Sequence, residues 1–209
     1  MNAYNIVKKD LRKTIITAMN LNIIVNPQKY TENGITLSSQ YSFFRSQEEY
    51  LSEYAHSYEE NKYLCALTDG SYFQVNYEFE KKSKNKVYIK KLNLCYLPAI
   101  HNHKMIHSYV RLDFEPESDN SFFHSQAHLH LGFDNDIRIP VDEVLLFSEF
   151  FEMILFFFYN DKLRLWNSCL NIGHTVSKNE GRFTKQGVLP TELVNYFFFH
   201  QKNHLPHQI

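Results

Sequence analysis

Glycine and proline are scarce in this chain, 6 of each in 209 residues, and no glycine-rich phosphate loop, G-x-S-x-G elbow or H-E-x-x-H helix occurs. Walker-type nucleotide chemistry, α/β-hydrolase chemistry and zincin chemistry are therefore excluded as readings. Cysteine is rarer still: Cys65, Cys95 and Cys169 stand far apart with no C-x-x-C pair, which argues against a zinc ribbon or a redox motif and for buried thiols in a reducing compartment. Charge of one sign is also missing. With 22 Lys and Arg against 23 Asp and Glu, the formal net charge is -1, so no long-range field draws the protein to nucleic acid or an acidic membrane, and any such contact must be a local patch. The most apolar stretch, residues 144–159, carries Glu149 and Glu152 and falls short of the about 20 residues that span a bilayer, so it reads as a buried helix. The first twenty residues interleave charged and apolar side chains without an apolar h-region, and the expectation is a cytoplasmic protein with no signal peptide, anchor or membrane partner.

What is present is core-forming material. A composition of 44% hydrophobic and 22% charged residues, with 18 Phe and 14 Tyr, excludes disorder as the main state. Helical spacing of Ile6, Val7, Leu11, Ile15 and Ala18 predicts a surface helix over residues 2–20. Asn26-Pro27 and Asn33-Gly34 mark turns. Ser46 followed by Glu49 forms a capping-box pattern that starts a second helix, ending near Asn61.

The period then changes. Residues 71–80 alternate Phe73, Val75, Tyr77 and Phe79 with Tyr72, Gln74, Asn76, Glu78 and Glu80, predicting a strand with one wet face. A polar connection at 81–86, a return strand at 87–97, and strands at 107–115, 127–133 and 136–139 complete an antiparallel meander. The stripe of Phe147, Phe150, Phe151, Ile154, Leu155 and Phe158 predicts a helix on the dry face, followed by a loop-rich stretch at 171–188 and a last helix at 191–200. The expectation is one α+β domain over 1–209: a helical part at 1–61, the sheet at 62–140 and a helical part at 141–209.

The densest chemistry lies on two of these strands. Period two puts Tyr109, Arg111, Asp113 and Glu115 on one face of the first, and His128 and His130 together on the second. If the strands pair, Arg111, Asp113, His128 and His130 converge, with His124 at the rim. Such a patch suits proton transfer, because histidine titrates near neutrality and a carboxylate orients it. It equally suits a divalent transition metal held by Asp113, His128 and His130, or Mg²⁺ held by Asp113 with Glu115 beside a phosphate, and a divalent metal such as Mg²⁺ or Mn²⁺ is the cofactor expected. The bland alternative is an Arg111–Asp113 ion pair with hydrogen-bonded histidines. His101, His103 and His107 crowd a turn and read as structural. The segment KKSKNKVYIKK, with Lys81, Lys82, Lys84, Lys86, Lys90, Lys91 and Tyr88, is the one patch suited to a phosphate backbone, against the commoner reading as a solvated hairpin. Phe197, Phe198, Phe199 and the Phe-rich helix read as core, or as docking surface on a larger protein.

The segments YVRLDFEPE, HSQAHLHLGFDNDIRIP and the apolar helix ending in FFFY resemble the bacterial family known as domain of unknown function 2290. The likeness runs over about residues 72–159, with the Arg-x-Asp strand at Arg111 and Asp113, the His-rich strand at His124, His128, His130 and Gly132, and the R-I-P turn at Arg138, Ile139 and Pro140. The resemblance implies a setting beside a helicase in anti-phage defence loci. In that setting two functions arise: a nuclease or related phosphodiester-cleaving effector, or a non-catalytic sensor or adaptor that regulates the helicase. Under the first, Asp113, His124, His128, His130 and Arg111 form the catalytic group, and Arg138, Tyr109, Lys82, Lys84 and Lys86 bind substrate.

Overall fold

In the computed structural model of the chain, the described residues are 2–33, 36–39, 44, 46–83, 86–115, 127–133, 137–141 and 144–170. The first helix, α1 (Ala3–Asn20), is capped by Asn2, whose side chain accepts the Asn5 N–H at 3.3 Å. The expected apolar stripe packs inward: Val7, Leu11 and Ala18 are fully buried, and Ile6 and Ile15 lean on the same core. The second helix, α2 (Gln47–Glu59), begins as its capping pattern predicts, with the Ser46 side chain accepting the Glu49 N–H.

Three short strands, β1 (Ile24–Val25), β2 (Thr31–Asn33) and β3 (Thr36–Ser38), correct the reading of residues 1–61 as helix and turn alone. They join β4 (Cys65–Leu67), β5 (Tyr72–Ser83), β6 (Lys86–Leu97), β9 (Val110–Phe114), β10 (Ala127–Leu131) and β11 (Ile137–Pro140) in a nine-stranded antiparallel sheet. Its order is β1-β4-β5-β6-β9-β10-β11, with β3 pairing to β5 beyond the end of β4. The meander is therefore as expected from β5 onward. A separate hairpin, β7 (Ile100–His101) with β8 (Lys104–Met105), turns through Asn102 and His103, both at positive φ, so His101 and His103 sit exposed on a turn.

One sheet face is apolar throughout. Phe73, Val75, Leu94, Leu112 and Leu129 meet α1 and the Phe-rich helix α3 (Phe147–Phe158), from which Phe147, Phe150, Phe151, Ile154 and Leu155 are buried. Phe73 touches Phe147, Phe150 and Phe151. Asp10 of α1 reaches the start of α3, where its carboxylate accepts the Ser148 N–H at 3.0 Å and the Ser148 hydroxyl at 2.6 Å. A further helix, α4 (Asn160–Leu170), follows at once and buries Trp166 against Phe151.

The opposite face is not simply wet, and here the sequence reading needs correction. Tyr72 and Gln74 are fully buried, because α2 lays Tyr50, Tyr54 and Tyr58 over that end of the sheet beside Tyr63, Leu97 and Tyr109. Gln74 tolerates this by donating its Nε2–H to the Lys62 carbonyl at 2.6 Å. Tyr54 donates to the Gly70 carbonyl, and Gly70 itself sits at φ +94°, where a Cβ would fall 2.9 Å from the Tyr54 hydroxyl. Only from Asn76 toward the β5–β6 tip does this face open to solvent. No helix among the described residues is long and apolar enough to cross a membrane. The expected loop at 171–188 and helix at 191–200 lie outside the described residues.

Candidate functional site

Strand register decides what converges. On the α2 side of the sheet, Cys95 of β6, Arg111 of β9 and His130 of β10 stand directly opposite one another. The next row runs Asn76, Asn93, Asp113 and His128. Two adjacent rows thus place Arg111, Asp113, His128 and His130 on one patch, as their parity predicts.

The contacts within the patch are short. Asp113 accepts the Arg111 Nε–H at 2.7 Å through Oδ2 and the Asn93 Nδ2–H at 2.7 Å through Oδ1. Asn93 in turn accepts from Asn76 at 3.3 Å. His130 Nε2 lies 3.1 Å from Asp113 Oδ2 and 3.1 Å from an Arg111 Nη, while His128 Nε2 is 3.9 Å from Asp113 Oδ2. The two imidazoles meet edge to face with centroids 4.6 Å apart.

Burial on Asp113 works to raise its pKa, but the hydrogen bond from His130, the Arg111 charge and the Asn93 amide outweigh it and hold the carboxyl below its ordinary value. Asp113 is accordingly an anion. Burial likewise disfavours the Arg111 charge, and the neighbouring Tyr109 and Asp113 more than offset it.

His130 Nε2 has two partners with opposite demands. Bearing a proton, it donates to Asp113; without one, it accepts from Arg111. Each protonation state therefore finds a partner already in place, which is the arrangement a proton-transfer group needs. Asp113, His128 and His130 can also each offer one ligand atom, all within 4.8 Å of one another. Two imidazoles and a carboxylate suit Mn²⁺, Fe²⁺ or Zn²⁺ better than Mg²⁺, which prefers oxygen. The guanidinium beside His130 sets a fixed positive charge against any such ion.

Of the other expected site residues, Tyr109 adjoins this group through Arg111, whose charge it supports. Tyr109 is buried under the aromatic cover, its ring stacked 4.2 Å from Phe133 and its hydroxyl 3.7 Å from Cys95 Sγ. Lys82 and Lys86 are exposed on the β5–β6 arm, away from the cluster. The backbone of Arg138 lies opposite His130. His124 and Lys84 lie outside the described residues. Asn93 was missed, although its signal was present: a polar side chain between Leu92 and Leu94 on the return strand shares the parity of the patch. Cys65 and Cys95 are buried thiols, as expected.

Comparison with known proteins gives one family. Residues 99–187, under half of the chain, match the family described as "uncharacterized conserved protein", domain of unknown function 2290. The match supports the resemblance read from the motifs and includes Arg111, Asp113, His128 and His130, with its extent lying further toward the C-terminus than residues 72–159. No curated protein and no solved structure matches the chain.

Proposed function

We propose that this chain is a phosphodiester-cleaving effector centred on Asp113, His128, His130 and Arg111, acting with a helicase in anti-phage defence. The observation that carries the chemistry is the position of His130 Nε2, 3.1 Å from both a carboxylate oxygen and a guanidinium nitrogen. His130 moves the proton, Asp113 orients it, and Arg111 supplies positive charge where a phosphoryl oxygen gains negative charge. Alternatively, a metal would be held by Asp113, His128 and His130 in place of proton transfer by His130, and would act as a Lewis acid on the phosphate. The helicase and defence setting rests on the family resemblance alone.

A second reading has its own support. The side chains of Arg111, Asp113, His128 and His130 retain only 10%, 10%, 6% and 1% exposure, and they partner one another. A cluster so closed also suits a structural role in a non-catalytic adaptor. Cleavage of labelled single- and double-stranded DNA and RNA, with co-expressed helicase, ATP and Mg²⁺ or Mn²⁺, separates the two. Wild type should cut, while folded His130→Gln and Asp113→Asn should lose at least about a hundredfold in rate. If no condition yields cleavage with an intact complex, the adaptor reading replaces the effector.

A further inference from the structure

The β5–β6 hairpin continues past the sheet as a two-stranded arm, and its lysines take no part in the centre described above. Register fixes which side of the arm faces which way. Phe79 pairs with Ile89 on the apolar face, so Glu80 and its partner Tyr88 lie on the other, the face that carries Asn93, Asp113 and His128. Tyr88 is 46% exposed, one of the few large hydrophobic side chains so open among the described residues, and Lys82 Nζ stands 5.5 Å from its ring centroid. Lys82, Lys86 and Lys90 are exposed on the same arm, and Lys81, also exposed, pairs with Val87 on the other face. Lys91, between the arm and the cluster, is paired with Glu115 at 2.8 Å. Tyr88 is five residues along β6 from Asn93, about 16 Å at the rise of a strand. Acidic groups share the arm, Glu78 beside Lys91 and Glu80 within 3.6 Å of Lys82, yet lysine is in excess.

An exposed ring flanked by ammonium groups is a platform for a nucleobase with its phosphates neutralised on either side. Bases inside a duplex offer no free face to it. We propose that the arm binds single-stranded nucleic acid, with one base stacked on Tyr88 and the backbone held by Lys82, Lys86 and Lys90. Such a strand then runs from the arm toward Asn93 and Asp113, where the sheet face closes over the cluster. The link to cleavage rests on the function proposed above, whereas the binding does not.

Fluorescence anisotropy of the full chain with labelled 15-nucleotide DNA, RNA and the matching DNA duplex, without ATP or added metal, tests this directly. Both single strands should bind tighter than the duplex, and the difference between the DNA and RNA arms reports any use of the 2′-hydroxyl. Tyr88→Ala should weaken single-strand binding about tenfold, Tyr88→Trp should restore it and Tyr88→Leu should not. Lys82→Gln with Lys90→Gln should lower the slope of log affinity against log salt by about 1.4. Absence of binding, preference for duplex, or full affinity in Tyr88→Ala would overturn the proposal. Binding without cleavage in any condition would refute the catalytic reading alone, and cleavage unaffected by Tyr88→Ala would refute the arm alone.

Discussion

The two faces of one sheet solve burial in opposite ways. On the α1 and α3 side, Phe73, Val75, Leu94, Leu112 and Leu129 meet Phe147, Phe150 and Phe151, and stability comes from apolar area and close packing. On the α2 side, residues only one position away along the same strands, Gln74, Asn93, Arg111, Asp113, His128 and His130, are also buried, but each holds its place through a partner. Apolar packing tolerates small shifts and punishes voids. A buried polar network tolerates almost no loss of a partner, because the group left behind keeps its desolvation cost. A site that must hold charges out of water therefore sits naturally on the second face, backed by the rigidity of the first.

The comparison is broken most severely from the apolar side. Phe150→Ala leaves a void between α3 and the sheet and should cost about 3–5 kcal/mol in urea unfolding. On the polar side, Asp113→Asn should cost about 2–4 kcal/mol, since it leaves Arg111 without its counter-charge in a site only 10% exposed. Replacing both partners, Arg111→Met with Asp113→Leu, should recover at least half of that loss; a double variant as unstable as the single would mean that Asn93 and His130 also depend on the carboxylate. The acid limb gives an independent reading. The Asp113 carboxyl titrates lower in the folded state than its ordinary value of 3.8, so its stabilisation is complete above that value and lost as pH falls through the folded pKa. Asp113→Asn should flatten this part of the acid unfolding curve.

A smaller effect tests the Asp10 carboxylate on the apolar side. Asp10→Ala removes both acceptors from Ser148 at the start of α3 and should cost about 1–2 kcal/mol by thermal unfolding. A loss below about 0.3 kcal/mol would show that α3 is held by its phenylalanines alone.

How much of this was legible in the sequence follows from the same contrast. Parity along a strand survives errors in its ends, so Arg111, Asp113, His128 and His130 could be placed together once β9 and β10 were taken as neighbours. The cover over the polar face was not legible. Gln74 and Tyr72 read as solvent-facing because period two reports polarity, whereas burial here depends on cover from elsewhere in the chain: Lys62 accepts from Gln74, and α2 lays Tyr50, which donates to the Pro98 carbonyl, over the face. Strands β1, β2 and β3 have two or three residues each and offer no periodicity to detect. The helix α4 escaped because its apolar content is confined to one stripe directly after the Phe-rich run, with only Tyr159 as punctuation between the two helices. Asn93 was hidden by its setting, an amide among leucines that becomes meaningful only when Asp113 is found across the strand boundary.

The smallest expected effect sits at the seam between apolar packing and polar partnering. His107 stacks on Phe158 at 4.7 Å and meets Tyr159 edge to face at 5.2 Å. Tyr159 in turn donates to Asp69 and contacts Tyr96 and Ser71. Burial lowers the His107 pKa from 6.5, and the Asp69 charge opposes that shift without cancelling it. Because the folded pKa is the lower one, the unfolded chain binds more protons in the interval between the two. Stability from this residue is then fully present above pH 6.5 and declines as pH falls through the folded value. His107→Phe keeps the stack and removes the titration, so the difference in Tm between pH 7.5 and pH 5.5 should shrink by on the order of 1–2 °C. His107→Ala should remove the titration and the stack together, lowering Tm at both pH values. If the pH difference persists in His107→Phe, the imidazole is indifferent to its aromatic neighbours, and the seam is held by the Asp69, Ser71, Tyr96 and Tyr159 hydroxyl network without it.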